Sequence, residues 1–139
     1  MGLKADLVAY LDAEGALSTA ATGGVHPGVA EQGTARPYIT WTRIGDAAEH
    51  TKEGAAPLSE AVFQFDCWAD TSVGLETVSE ALRGELDGFS GTLGSTDVRN
   101  IRVTNESDGI ELPEDGKGTA IYRSTFTVTV WYVRAVPVF

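Results

Sequence analysis

Leu3, Leu7, Tyr10 and Leu11 recur at i, i+4, i+7 and i+8, a spacing that lines apolar side chains along one stripe of an α-helix. The pattern predicts a first helix from Gly2 to about Ala13, stopped at Gly15. A small-residue connector rich in alanine, threonine and glycine follows from Ala16 to Gly24. The stretch Val25 to Trp41, VHPGVAEQGTARPYITW, then reads as an ordered, elongated arm. Pro27 and Pro37 fix φ and push the residue before each toward extended geometry, while Gly28 and Gly33 supply the bends. The arm delivers Tyr38 into a strand predicted to run to Ile44. Ile39, Trp41 and Arg43 share one face of it, and Tyr38, Thr40, Thr42 and Ile44 the other. Alternation alone leaves open which face is inward.

Gly45 to Pro57 is a polar connection, too long for a tight hairpin turn. The next strand, Leu58 to Ala69, alternates clearly, and its Phe63, Phe65 and Cys67 face is expected to be core. Thr71 or Ser72 can cap a second helix that reaches about Leu86. Its buried stripe is Leu75, Val78, Leu82 and Leu86, with Gly88 as a left-handed stop. Gly88, Gly91 and Gly94 mark a flexible turn region. A strand around Val98 to Val103 leads into a second acidic connection, NESDGIELPEDGKG, from Asn105 to Gly118. The last strand, Thr119 to Val133, sets Tyr122, Ser124, Phe126, Val128, Val130 and Tyr132 against Arg123, Thr125, Thr127, Thr129 and Trp131. The expected fold class is α+β in the order α-β-β-α-β-β, as a single domain over residues 1–139. It would be an antiparallel sheet of about four strands, with long β-hairpin loops and two helices packed on one face.

Composition narrows the function. An apolar fraction of 42% and a charged fraction of 22% describe a soluble globular chain. No apolar run approaches the roughly 20 residues a membrane span needs, and the first residues lack a signal-peptide pattern. Cys67 is the only cysteine, which excludes an internal disulfide and the cysteine-based structural zinc sites. The formal charge of −10 argues against binding nucleic acid, whose affinity comes from Lys and Arg displacing phosphate counterions.

Catalytic chemistry finds little to stand on. His26 and His50 are the only histidines, and both fall in polar loops. The GFSG at Gly88 to Gly91 lacks the spacing of a nucleophile elbow and follows a helix instead of a strand. The nearby glycines could suggest a phosphate cradle, but no Lys-Ser/Thr follows and Asp87 and Asp97 flank them with the wrong sign. Asp108, Glu111, Glu114 and Asp115 offer oxygen ligands, yet their spacing misses the calcium-loop pattern. No catalytic residue, cofactor or metal is expected. The chain offers assembly surface instead. A threonine-rich face runs along the last strand beside Trp131, and Trp41 and Trp68 add side chains of the type enriched at interface hot spots. Ala135 to Phe139 is apolar beyond any predicted element.

The arm at Val25 to Trp41, the strand end FQFDCWAD at Phe63 to Asp70, the helix end ALRGELDGFSG at Ala81 to Gly91, and the alternating strand YRSTFTVTVWY at Tyr122 to Tyr132 occur in a telling order. In that order and spacing the chain resembles the small tail-completion, or tail-terminator, proteins of long-tailed bacteriophages. The resemblance spans nearly the whole chain; the family more often has an aromatic at His26 and a proline at Glu31. It implies a virion structural protein of the tail or neck, assembled in the host cytoplasm. Such a protein forms a ring, a homo-hexamer, that caps the head-proximal end of the tail tube and joins the tail to a head–tail connector or stopper protein. The expected contacts with neighbours and partners are Val25, His26, Pro27, Pro37, Trp41, Trp131, Val138 and Phe139. Asp46, Glu49, Glu53, Asp108, Glu111, Glu114 and Asp115 are expected on acidic loops at the lumen or axial faces. A negative lumen repels DNA over roughly a Debye length of about 8–10 Å, so DNA would pass without specific binding. The alternatives are another neck protein of the same particle, such as a head-closure component, and a small α+β enzyme or ligand-binding domain.

Overall fold

A computed structural model of the chain describes residues 3–13, 15–29, 34–49, 58–94, 96–111 and 120–133. It holds three helices, α1 (Leu3–Asp12), α2 (Ala16–Ala20) and α3 (Ser72–Leu86), among these residues. The strands are β1 (Val25–Pro27), β2 (Tyr38–Glu49), β3 (Leu58–Ala69), β4 (Gly91–Leu93), β5 (Thr96–Glu111) and β6 (Ile121–Val133). They form one six-stranded sheet in the order β1-β2-β3-β6-β5-β4. The β1–β2 pair is parallel and the other pairs are antiparallel.

The fold is α+β, as expected, but the sheet is larger and mixed rather than four-stranded and antiparallel. Two short edge strands account for part of the difference. The arm begins not as a loop but as β1, with Val25 paired to Ile39 and Pro27 to Trp41. The glycine-rich turn region contains β4, which pairs Gly91 with Val98. Such three-residue strands carry no alternation of their own, so only a neighbour's backbone makes them strands. The connector at 16–24 contains α2. Its first turn is held by the Gly15 N–H donating to Ser18 Oγ at 3.0 Å, and it buries Leu17 and Ala21. The acidic connections are also shorter than expected: β2 continues to Glu49 and β5 to Glu111. Bulges let them do so. Register shifts lie between Arg43 and Gly45 on β2, and between Val98 and Asn100 and between Val103 and Asn105 on β5. An extra residue at each bulge moves the alternation to the other face, so one continuous strand reads as a strand followed by a polar loop.

The core follows the alternation. Phe63, Phe65 and Cys67 of β3 lie opposite Val128, Phe126 and Ser124 of β6, and the three phenylalanines are fully buried. On β2 the inward face is the one carrying Ile39 and Trp41, which register with Cys67 and Phe65. α3 covers this layer with Leu75, Val78, Leu82 and Leu86. Thr71 caps it by accepting from the Gly74 N–H at 3.0 Å. Burial pushes the Cys67 thiol pKa up, leaving it an inert part of the core.

α1 places Leu3, Leu7 and Leu11 in the same core. It contacts both β1 and β4, the two edges of the sheet. A ten-residue helix is about 15 Å long, whereas five strand spacings put the edges of a flat sheet about 24 Å apart. The sheet therefore curls around its helix side. Asp6, buried on α1, accepts from Thr96 Oγ1 at 2.6 Å and ties the β4–β5 turn to the helix. Gly94 in that turn has φ +56°, and a Cβ there would sit 2.4 Å from Asp6 Oδ1.

Gly94→Ala is expected to destabilise the chain by about 1–3 kcal/mol, through the left-handed backbone and the clash with Asp6. A urea melt reads this, and an unchanged midpoint would refute the tie. A second test uses pH. The Tyr10 phenol donates to the Glu85 carbonyl at 2.9 Å, and burial, then the Glu85 side chain, push its pKa up to about 12. A raised pKa on a group that ionises to an anion stabilises the fold fully below the unfolded value, and that contribution is lost as pH rises through the folded one. Thermal midpoints between about pH 8 and pH 12 should fall less steeply for Tyr10→Phe than for the unsubstituted chain.

Candidate functional site

The sheet has one face closed by helices and one face open. On the open face, alternation brings together outward residues that the sequence keeps far apart. Register sets Tyr38 opposite Trp68 and Thr40 opposite Asp66, then Trp68 opposite Arg123 and Asp66 opposite Thr125. A lateral lattice results. The His26 ring N–H donates to the Gly23 carbonyl at 2.6 Å, and the ring meets Tyr38 edge-on at 6.2 Å. Tyr38 stacks on Trp68 at 6.2 Å, whose indole N–H donates to Thr40 Oγ1 at 3.1 Å. The Arg123 guanidinium lies over Trp68, 5.0 Å from the ring centroid. It also donates to Asp66 Oδ1 at 3.2 Å and sits 3.5 Å from Glu111. Thr125 and Gln64 donate to the same Asp66 carboxylate. Acceptors and donors are matched across four strands, so the open face is ordered with no helix against it among the described residues.

On the helix-covered side, the flank of α3 from Ser72 to Arg83 stands beside β5 and β6. Between the helix and these strands lies a groove of about 740 Å³. Leu75, Ile110 and Tyr122 supply apolar lining, and Glu76, Glu80, Glu106 and Asp108 supply acid around one guanidinium, Arg83. Arg83 pairs with Glu106 across the groove, and Asp108 accepts from Ser124 Oγ at 2.5 Å. Among the described residues no group of three or more His, Cys, Asp or Glu is arranged to hold a metal ion.

The residues singled out from the sequence scatter over this framework. Val25 is buried in the core, His26 half-buried on the open face, and Pro27 exposed. Pro37 is half-buried and follows a cis peptide bond from Arg36, which itself pairs with Asp70 at 2.5 Å. Trp41 is half-buried on the helix side, 6.1 Å from the Phe63 ring. Trp131 is half-buried on the open face, opposite Glu60 and Asn100. The acidic residues expected on loops stand differently. Asp46 and Glu49 belong to β2, and Asp108 and Glu111 to β5. Asp108 points to the groove and Glu111 to the open face, so these two acids do not share a surface. His50, Glu53, Glu114, Asp115, Val138 and Phe139 lie outside the described residues. Sequence reasoning missed Asp66, Arg123 and the groove. Only the β3–β6 register could have revealed the lattice, by placing an acid, an indole and a guanidinium at adjoining outward positions.

The family model described as tail completion protein gp17 matches residues 5–133. Among 22 matching solved chains is one from the virion of a native gene transfer agent particle. It is 13% identical, with a TM-score of 0.71 over 95% of this chain and 95% of that chain. At that identity the likeness speaks for the fold alone. A search of curated proteins gives no match.

Arg123→Leu tests the lattice directly. Loss of the guanidinium removes the stacking on Trp68 and strips a partner from Asp66. Stability should drop by about 1 kcal/mol. A urea titration that superimposes on that of the unsubstituted chain would show the lattice to be energetically idle.

Proposed function

The chain belongs to the tail completion protein gp17 family of virion tail proteins, and from that premise we propose that six copies close a ring on the head-proximal end of the tail tube. The ring ends tube growth and presents its opposite face to a head–tail connector. Its role is structural rather than enzymatic, and DNA passes through it without being held.

The observation that carries this reading is the pair of open edges. β1 covers β2 only from Ile39 to Trp41, so Thr42 to Glu49 has no strand neighbour on that side among the described residues. β4 covers β5 only from Thr96 to Val98, and Gly88 and Phe89 then bond Ile101. Asn105 to Glu111 has no strand neighbour on its outer side among the described residues. Through β3, the open part of β2 registers with the Val133 end of β6, whereas the open part of β5 registers with the Ile121 end. The two edges are thus on opposite sides and at opposite ends of the sheet. A closed ring needs this kind of asymmetry, one patch meeting a different patch of the next copy. The acids along the β5 edge, Glu106, Asp108 and Glu111, discourage indiscriminate edge pairing. Free copies therefore stay apart until a tube end brings them together.

Negative-stain images of the purified chain mixed with tail tubes provide the test. The expected result is one compact ring at one end of each tube and a halt to further tube extension. Bare tube ends and continued growth at saturating protein would overturn the proposal.

A further inference from the structure

The groove beside α3 presents apolar surface that nothing described in the chain covers. Ile110, on its floor, is 59% exposed, beside Leu75 and Tyr122. Its rim sets four carboxylates, Glu76, Glu80, Glu106 and Asp108, against the single guanidinium of Arg83. Such a groove selects an apolar segment with positive and no negative charge. In a chain with twice as many acids as bases, residues 134–139, Arg-Ala-Val-Pro-Val-Phe, stand out as apolar with one arginine and no acid.

This segment cannot reach the Ile110–Tyr122 end of the groove on its own copy. Tyr122 lines the groove at one end of β6 and the segment leaves from Val133 at the other. Those positions are about 36 Å apart along a strand rising about 3.3 Å per residue. Six fully extended residues span at most about 21 Å. We therefore infer that the groove between α3 and the β5–β6 end is a docking site for residues 134–139 of a neighbouring copy. Val136, Val138 and Phe139 cover Leu75, Ile110 and Tyr122, and Arg134 meets the acidic rim. Pro137 holds its part of the segment extended, which lowers the entropy lost on docking. Donor and acceptor lie at opposite ends of one strand, so each copy gives at one end and receives at the other. That is a head-to-tail contact. The inference rests on the ring reading and names one of its subunit contacts.

The probe is a fluorescein-labelled, C-terminally amidated peptide of residues 133–139, titrated into the full-length chain and followed by anisotropy. Saturable binding is expected, weakened at least about tenfold by Ile110→Glu in the chain or by Arg134→Glu in the peptide. Glu76→Arg in the chain should restore part of the affinity of the Arg134→Glu peptide. Ile110 is exposed, so its substitution leaves the fold intact, and circular dichroism checks this. No binding, or binding indifferent to Ile110→Glu, overturns the assignment. Tube capping is scored in parallel. Normal rings from Ile110→Glu chains overturn the groove contact and leave the ring reading standing. Absence of rings from the unsubstituted chain counts against the ring reading, and the peptide titration still decides the groove. Loss of connector binding by Ile110→Glu with normal rings gives the groove to another protein and overturns the inference.

Discussion

Contact of α1 with both edges of the sheet is the constraint on which the rest of this molecule depends. Leu3, Leu7 and Leu11 are buried in one cluster with Val25 of β1 and Leu93 of β4. A single short helix can touch both only if six strands curl toward it. The curl in turn fixes which surface is closed and which is open. The Asp6–Thr96 hydrogen bond holds one margin, and the parallel pairing of β1 with β2 holds the other. Burial of the three leucines, at about 1.5–3 kcal/mol each relative to exposure, outweighs the modest hydrogen bonds at either margin. The hydrogen bonds choose the geometry; the leucines stabilise it.

Two surfaces are left over once the core is closed, and they differ in kind. The open face is satisfied from within, since Asp66, Arg123, Trp68, Tyr38 and Thr125 consume one another's bonding capacity. Such a face tolerates water or a neighbour with equal ease. The groove is not satisfied in this way. It holds an exposed isoleucine, and its acidic rim, shared between α3 and β5, faces a single guanidinium. An interface built on the second surface gains more from burial than one built on the first, because the first has already matched its polar groups. The short edge strands add a third element, since they leave parts of β2 and β5 without a strand neighbour among the described residues at diagonally opposite corners of the sheet.

Side chains weighed for chemistry in the sequence are taken up within the fold where the structure describes them. Cys67 is buried and its thiol is held protonated. His26 spends a ring nitrogen on a backbone carbonyl three residues away. Of the acids offering oxygen ligands, the two described ones part company, with Asp108 bonded to Ser124 and Glu111 beside Arg123.

Much of this was legible without coordinates. The stripe Leu75, Val78, Leu82, Leu86, the Thr71 cap, the inward set Phe63, Phe65, Cys67 and its counterpart from Tyr122 to Tyr132 are all local patterns. Period and capping express them within a few residues, so a linear reading recovers them. The edge strands β1 and β4, the helix α2, the extension of β2 and β5 past their bulges, the inward face of β2 and the Asp66–Arg123 lattice were not legible. Each exists only because a second segment, distant in sequence, supplies a hydrogen-bond partner or a register. Linear order expressed the helix stripes and the inward sets of β3 and β6, and the order of its motifs pointed to a tail-completion protein. Tertiary contact alone decided the curl, the open edges and the groove, because these arise from where elements stop covering one another.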